Sequence, residues 1–255
     1  MAKTFLEKYN ARVDKVEKRL QSYVENPDED NVHDLRTATR RMVAALDALP
    51  KELRNEDKTQ AFLGAFRKLS KQNTGIRDLD IIVSKISRRE KDPAIERLSK
   101  NVLEARKTQV EHAHEFAREV QKETPPVLRK KDVSDQAIKK RLDKIVERLT
   151  SRINIRLPKV LSDPANVEEL HLLRIDARRL RYVLEIIDGK KTSKLVKLLE
   201  SWQDVLGPIH DNDVTIEYLR SSADSREVQI LLNEEMNERK SHYRKFGSLA
   251  KEIHS

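Results

Sequence analysis

The chain contains no cysteine, which excludes disulfides, thiolate metal sites and a thiol nucleophile and suits a cytosolic setting. Glycine is scarce at five residues and proline numbers eight in a length of 255. With abundant Glu, Lys, Arg, Leu and Ala, this argues for long helices and few strands. Aromatic residues make up only 4% of the chain, too few for the stacking platforms that single-stranded nucleic acids recruit. No apolar run approaches the roughly 20 residues of a membrane span, and the opening "MAKTFLEKYNARVDK" lacks the apolar core of a signal peptide. The expectation is a cytoplasmic protein without membrane association.

Charge is plentiful. Lys and Arg number 52 against 43 Asp and Glu, a balance of +9, with a pI near 9.5. Such a surplus suits an anionic partner, but with 37% of residues charged most cations must sit on solvated helix faces, so placement decides. The 37% hydrophobic content is enough for one large core or two ordinary ones.

Helical spacing runs from residue 3 to 25 and stops before "ENPDED". A segment rich in His and Arg follows, ending near Pro50. A third helix is predicted over about 57–73, closed by Gly75 in the left-handed conformation, and "LDIIVSKI" reads as a short fourth element. A long helix after Pro93 reaches about 122. The adjacent prolines of "ETPPVLRKKD" then mark a linker at about 123–132.

The second half repeats this order. "RLDKIVERL" answers "RVDKVEKRL", "GPIHDND" answers "GIRDLD" with Gly207 opposite Gly75, and "NERKSH" answers "EARKTQ". Matches in one order at nearly constant offset argue for an internal duplication. The expected architecture is all-α, with two antiparallel four-helix bundles over residues 1–126 and 132–255.

The most informative segments are "VHDLRTATRRMVAALDAL" from residue 32 and "LHLLRIDARRLRYVLEII" from residue 170. An offset of 138 pairs His33 with His171, Arg36 with Arg174, Arg40 with Arg178 and Arg41 with Arg179. At about 100° per residue, His171, Arg174, Arg178 and Arg181 fall in an arc of roughly 80°, with Glu185 one turn on. Apolar residues flank that arc on both sides: Leu173, Ala177 and Leu180 on one, Ile175, Tyr182 and Ile186 on the other. A cationic stripe so flanked should line a groove or tunnel, and guanidinium groups there need an anion because they cannot lose a proton. In the first copy His33, Arg36, Arg40 and Asp47 hold the same arc, and Val43 replaces Arg181. The second copy is therefore expected to bind anions more strongly.

These two segments, with "GIRDLD" and "GPIHDND" after them, resemble the CHAD family, the conserved histidine α-helical domain, over essentially the whole chain. The resemblance implies two helical bundles related by a pseudo-two-fold axis around a basic central cavity. It implies binding of inorganic polyphosphate, association with polyphosphate granules in some members, and neither catalysis nor a cofactor. By position it assigns His33, Arg36, Arg40, His171, Arg174, Arg178 and Arg181 to the ligand-facing surface. Arg41 and Arg179, paired by the repeat, join the candidates, as do Arg106, Arg239 and Arg77 from other helices. Lys8, Arg12, Arg19, Lys144 and Arg148 are rim positions that a solvated face explains equally well. Polyphosphate also fits the physics: a flexible anion charged at every unit calls for repeated guanidinium forks at helical spacing.

Two rivals are expected to lose. Nucleic-acid binding, RNA included, lacks aromatic platforms and zinc-finger or RNP signatures. A metal-dependent phosphohydrolase could draw on His33/Asp34, His210/Asp211, Asp78, Asp80 and Asp213. Asp78 and Asp211 to Asp213 read better as helix caps before apolar runs, so no metal ligands are assigned.

Overall fold

The computed structural model describes residues 2–87, 92–187, 190–222 and 225–251, and among them the regular structure is helical throughout. In chain order the helices are α1 (Ala2–Glu25), α2 (Glu29–Asp47), the short α3 (Lys51–Arg54), α4 (Asp57–Ile86), α5 (Pro93–Val120), α6 (Asp135–Ser162), α7 (Val167–Leu184), α8 (Lys190–Ser221) and α9 (Arg226–Lys251). The all-α reading stands. The Pro125–Pro126 stretch is indeed non-helical, followed by one 3-10 turn at Lys130–Asp132.

Two expectations fail together. Gly75 does not close a helix, because α4 runs on through it to Ile86 and absorbs the predicted fourth element. Gly207 likewise lies inside α8, and no glycine among the described residues has a positive φ. The physical reasons differ. A Cβ on Gly75 would come within 2.7 Å of Gln109 Oε1 on α5, so the residue is small because a neighbouring helix comes close. Gly207 precedes Pro208, and glycine removes the Cβ part of the clash that disfavours the helical conformation before proline. The cap reading falls with the helix ends: Asp78 is interior to α4, and Asp211 to Asp213 are interior to α8. α3 is an element that the sequence pattern did not indicate.

The chain forms two compact units. The first comprises Met1–Arg77, Thr108–Arg148 and Arg179–Val196; the second comprises Asp78–Lys107, Leu149–Arg178 and Lys197–Ser255. In the first, α1 buries Phe5, Tyr9, Val16, Leu20 and Tyr23 at helical spacing, and α2 buries Val32, Leu35, Met42 and Leu46. Asp28 caps α2 by accepting the Asn31 amide at 2.8 Å. Phe62 and Phe66 pack in the same unit with ring centroids 4.5 Å apart and planes tilted by 41°. Tyr9 Oη donates to the Pro126 carbonyl at 2.8 Å, which ties the segment after α5 to α1.

In the second unit the end of α4 and the start of α5 share a core with the end of α8 and the start of α9, through Ile82, Ile86, Ile95, Val102, Leu219 and Leu231 among others. Each such side chain, fully buried, contributes about 1.5–3 kcal/mol. Helices from both halves of the sequence thus build one core. The wholly buried Asp176 on α7 meets Arg152 at 3.0 Å and Arg156 at 2.9 Å on α6, which fixes the rotation of α7 in this unit.

Candidate anion-binding site

The second unit holds His171, Arg174 and Arg178 on α7. All three are half-buried, while their neighbours Leu170, Leu173 and Ala177 are fully buried. The row is therefore recessed and yet reachable by solvent. The His171 ring lies 5.1 Å from that of His210 on α8, tilted by 47°. Burial first, then the positive charges of Arg174 and Arg178, push the His171 pKa down, against a weaker pull from Asp213. At neutral pH this imidazole is neutral beside two cations.

Asp213 on α8 has its pKa raised by burial, with Arg239, His171 and Arg174 drawing it back. Arg239 on α9 pairs with Asp213 and donates through Nη1 to the Pro164 carbonyl at 3.0 Å. Its Nη2 is buried with no hydrogen-bond partner among the described residues, so one strong donor of this cluster has capacity left over. Arg106 on α5 pairs in the same manner with the buried Asp80, and both pairs span 26 residues. Arg106 and Arg239 thus each have an internal carboxylate, which a ligand would have to share.

The first unit gathers Arg41, Arg179 and Arg181. Arg41 Nε lies 3.2 Å from Glu185, Arg181 Nε lies 3.7 Å from it, and Arg12 Nη2 approaches it at 3.7 Å. The guanidinium carbons of Arg41 and Arg181 sit 5.3 and 5.0 Å from the Tyr182 ring centroid, within cation–π range. Arg179 is 3.7 Å from Asp47, which also receives Arg67 at 3.1 Å. Arg77 pairs with Glu29. Of the remaining candidates on α2, Arg36 is buried, Arg40 is half-buried and His33 is exposed.

His171, Arg174, Arg178 and Arg239 thus come from the second unit, and Arg41, Arg179 and Arg181 from the first. Sequence reasoning placed Arg12 only at a rim and missed His210 as the ring partner of His171. It also missed Arg67 and the Asp176 anchor, whose partners come from other helices. The signal for His210 was its alignment with Arg77 in the repeat. No group of three or more His, Asp or Glu among the described residues is placed to hold a metal ion. No described helix is long and apolar enough to cross a membrane. Chemically, both clusters offer guanidinium donors to oxyanions, and the second adds the neighbouring imidazoles of His171 and His210.

Comparison with known proteins adds the family. A family model described as the CHAD domain matches residues 9–220. Among solved structures, the CHAD domain from the plant Ricinus communis aligns with a TM-score of 0.71 at 17% identity, covering all of this chain and 92% of that one. PptA from Streptomyces chartreusis aligns with a TM-score of 0.68 at 14% identity, covering 98% of this chain and 99% of that one. At these identities the likeness is one of fold. No curated protein matches the sequence.

Proposed function

The chain belongs to the CHAD domain family, and from that premise we propose that it binds inorganic polyphosphate without turning it over, using the arginine clusters of both units. The observation that carries the proposal is the row His171, Arg174 and Arg178. These side chains are recessed at helical spacing, and burial, reinforced by the two arginine charges, keeps the histidine neutral. A chain of phosphates offers negative oxygens at every unit, and neighbours three or four residues apart on a helix stand about 5–6 Å from one another. Guanidinium forks then take successive phosphoryl groups by charge-assisted hydrogen bonds. His171 gains a proton as the anion arrives. The same proposal puts the protein in the cytoplasm, where polyphosphate granules are one place for it to gather.

Competition tests the proposal. Long-chain polyphosphate should displace a bound RNA at equal phosphate concentration, because the ligand needs charge and no base stacking. The complex should release no orthophosphate when magnesium or manganese is added. Failure to displace RNA would favour a nucleic-acid binder; orthophosphate release abolished by Asp211→Asn would favour a hydrolase.

A further inference from the structure

Glu185, the residue that follows α7, stands where guanidinium groups from three helices converge: Arg12 of α1, Arg41 of α2 and Arg181 of α7. The arginines are held from behind. Arg12 donates to the Arg41 carbonyl at 3.0 Å and the Tyr182 carbonyl at 3.1 Å, and Tyr182 packs near both other guanidiniums. Lys8 Nζ donates to the Glu185 and Ile186 carbonyls at 2.9 and 3.4 Å, which adds a fourth cation beside the same point.

The carboxylate fills this point poorly. Arg41 donates a hydrogen bond to it at 3.2 Å, whereas the ion-pair approaches of Arg12 and Arg181 are 3.7 Å, beyond the 2.7–2.9 Å of a charge-assisted bond. Arg12 and Arg181 have only 12% and 15% of their side-chain surface exposed, so the point is recessed from bulk water. Burial pushes the Arg12 pKa down to about 10, with Glu185 opposing and Arg41 adding to the shift. A carboxylate presents two oxygens in one plane. The terminal phosphoryl group of a phosphate chain presents three in a pyramid and carries more charge, which suits three guanidiniums arriving from three directions.

We propose that Arg12, Arg41 and Arg181 form a phosphoryl subsite which Glu185 occupies in the free protein, and that the terminal phosphoryl group of a polyphosphate chain displaces this carboxylate on binding. The proposal rests on the function proposed above and adds selectivity to it. A tethered carboxylate competes at high effective concentration, so a single orthophosphate is excluded. A chain already held by other arginines is not, because its terminal phosphoryl group is tethered too. Glu185 thereby sets a minimum ligand length.

The test compares wild type, Glu185→Gln and Glu185→Asp. Glu119→Gln, an exposed position on α5 paired with Lys122, controls for the change in net charge. Calorimetric titrations would use orthophosphate, tripolyphosphate and long-chain polyphosphate. Glu185→Gln should bind tripolyphosphate about tenfold more tightly than wild type, the scale of one relieved charge contact. It should also gain orthophosphate binding, with Glu185→Asp falling between and Glu119→Gln unchanged. Unchanged or weaker tripolyphosphate binding by Glu185→Gln, or an equal gain in Glu119→Gln, overturns the subsite while leaving polyphosphate binding by wild type intact. If wild type binds no polyphosphate, the functional proposal fails, and the subsite is judged by thermal unfolding. A rise in the Glu185→Gln midpoint with pyrophosphate that wild type lacks supports it, and no such rise overturns it. The same readout applies if Glu185→Gln folds poorly without an anion.

Discussion

At the scale of single residues, the site differs from a row of solvated arginines in what it does to a histidine. His171 is a base whose pKa is lowered in the folded chain by burial and by Arg174 and Arg178. The unfolded chain therefore binds this proton more readily than the folded one. The contribution of His171 to stability is present above the ordinary histidine value of about 6.5 and is lost as pH falls from there through the lower value of the folded chain. A polyanion reverses the balance by favouring the imidazolium. Polyphosphate binding near neutral pH should accordingly take up a proton, and affinity should rise as pH falls through about 6.5. Calorimetry in two buffers of different ionisation enthalpy measures the uptake. Wild type should show it and His171→Gln should lose most of it; equal uptake by both would remove His171 from the site. The acids are the other lesson at this scale. Arg106 and Arg239 were placed by the repeat alone, yet each shares its guanidinium with a carboxylate 26 residues away.

At the scale of elements, helical periodicity made α1, α2, α5 and α7 legible, because their apolar positions recur every three or four residues. It failed at Gly75 and Gly207 because a glycine followed by an aspartate has the local look of a helix end. What keeps α4 and α8 going is not local. Gln109 comes close to Gly75, and the aspartates beyond each glycine lie among partners from other segments, as Asp80 and Asp213 do with Arg106 and Arg239. Glycine substitutions test this. Gly64 in α4 has nothing within 4 Å of an added Cβ, so Gly64→Ala should stabilise by about 1 kcal/mol, the helix-propensity difference. Gly75→Ala gains the same propensity but must move the Gln109 side chain, so its gain should be smaller. Urea unfolding of the two variants measures the order. A larger gain at Gly75 would mean that Gln109 does not sit against it.

For the whole molecule, the two compact units do not divide at the Pro125–Pro126 linker. They distribute the candidate site differently from the sequence reading. The stripe on α7, read from the sequence as one row, belongs to both units: His171, Arg174 and Arg178 fall in the second and Arg179 and Arg181 in the first. The residue types, their spacing and their half-buried character were legible because they follow from one helix. Their surroundings were not, since Arg12, Arg67, His210 and the two arginines that hold Asp176, Arg152 and Arg156, lie on other helices and come into place only after folding. If both clusters take part, binding should be multivalent, strengthening with chain length and weakening steeply with salt through counterion release.

The most direct measurement is a titration of polyphosphate of graded length into wild type and into Arg174→Ala/Arg178→Ala, with the helical circular dichroism signal recorded for both. Two charge-assisted contacts of about 1.5 kcal/mol each predict a loss of affinity of about 100-fold in the double variant, with helicity unchanged. Equal affinity of the two proteins for long chains would contradict the account.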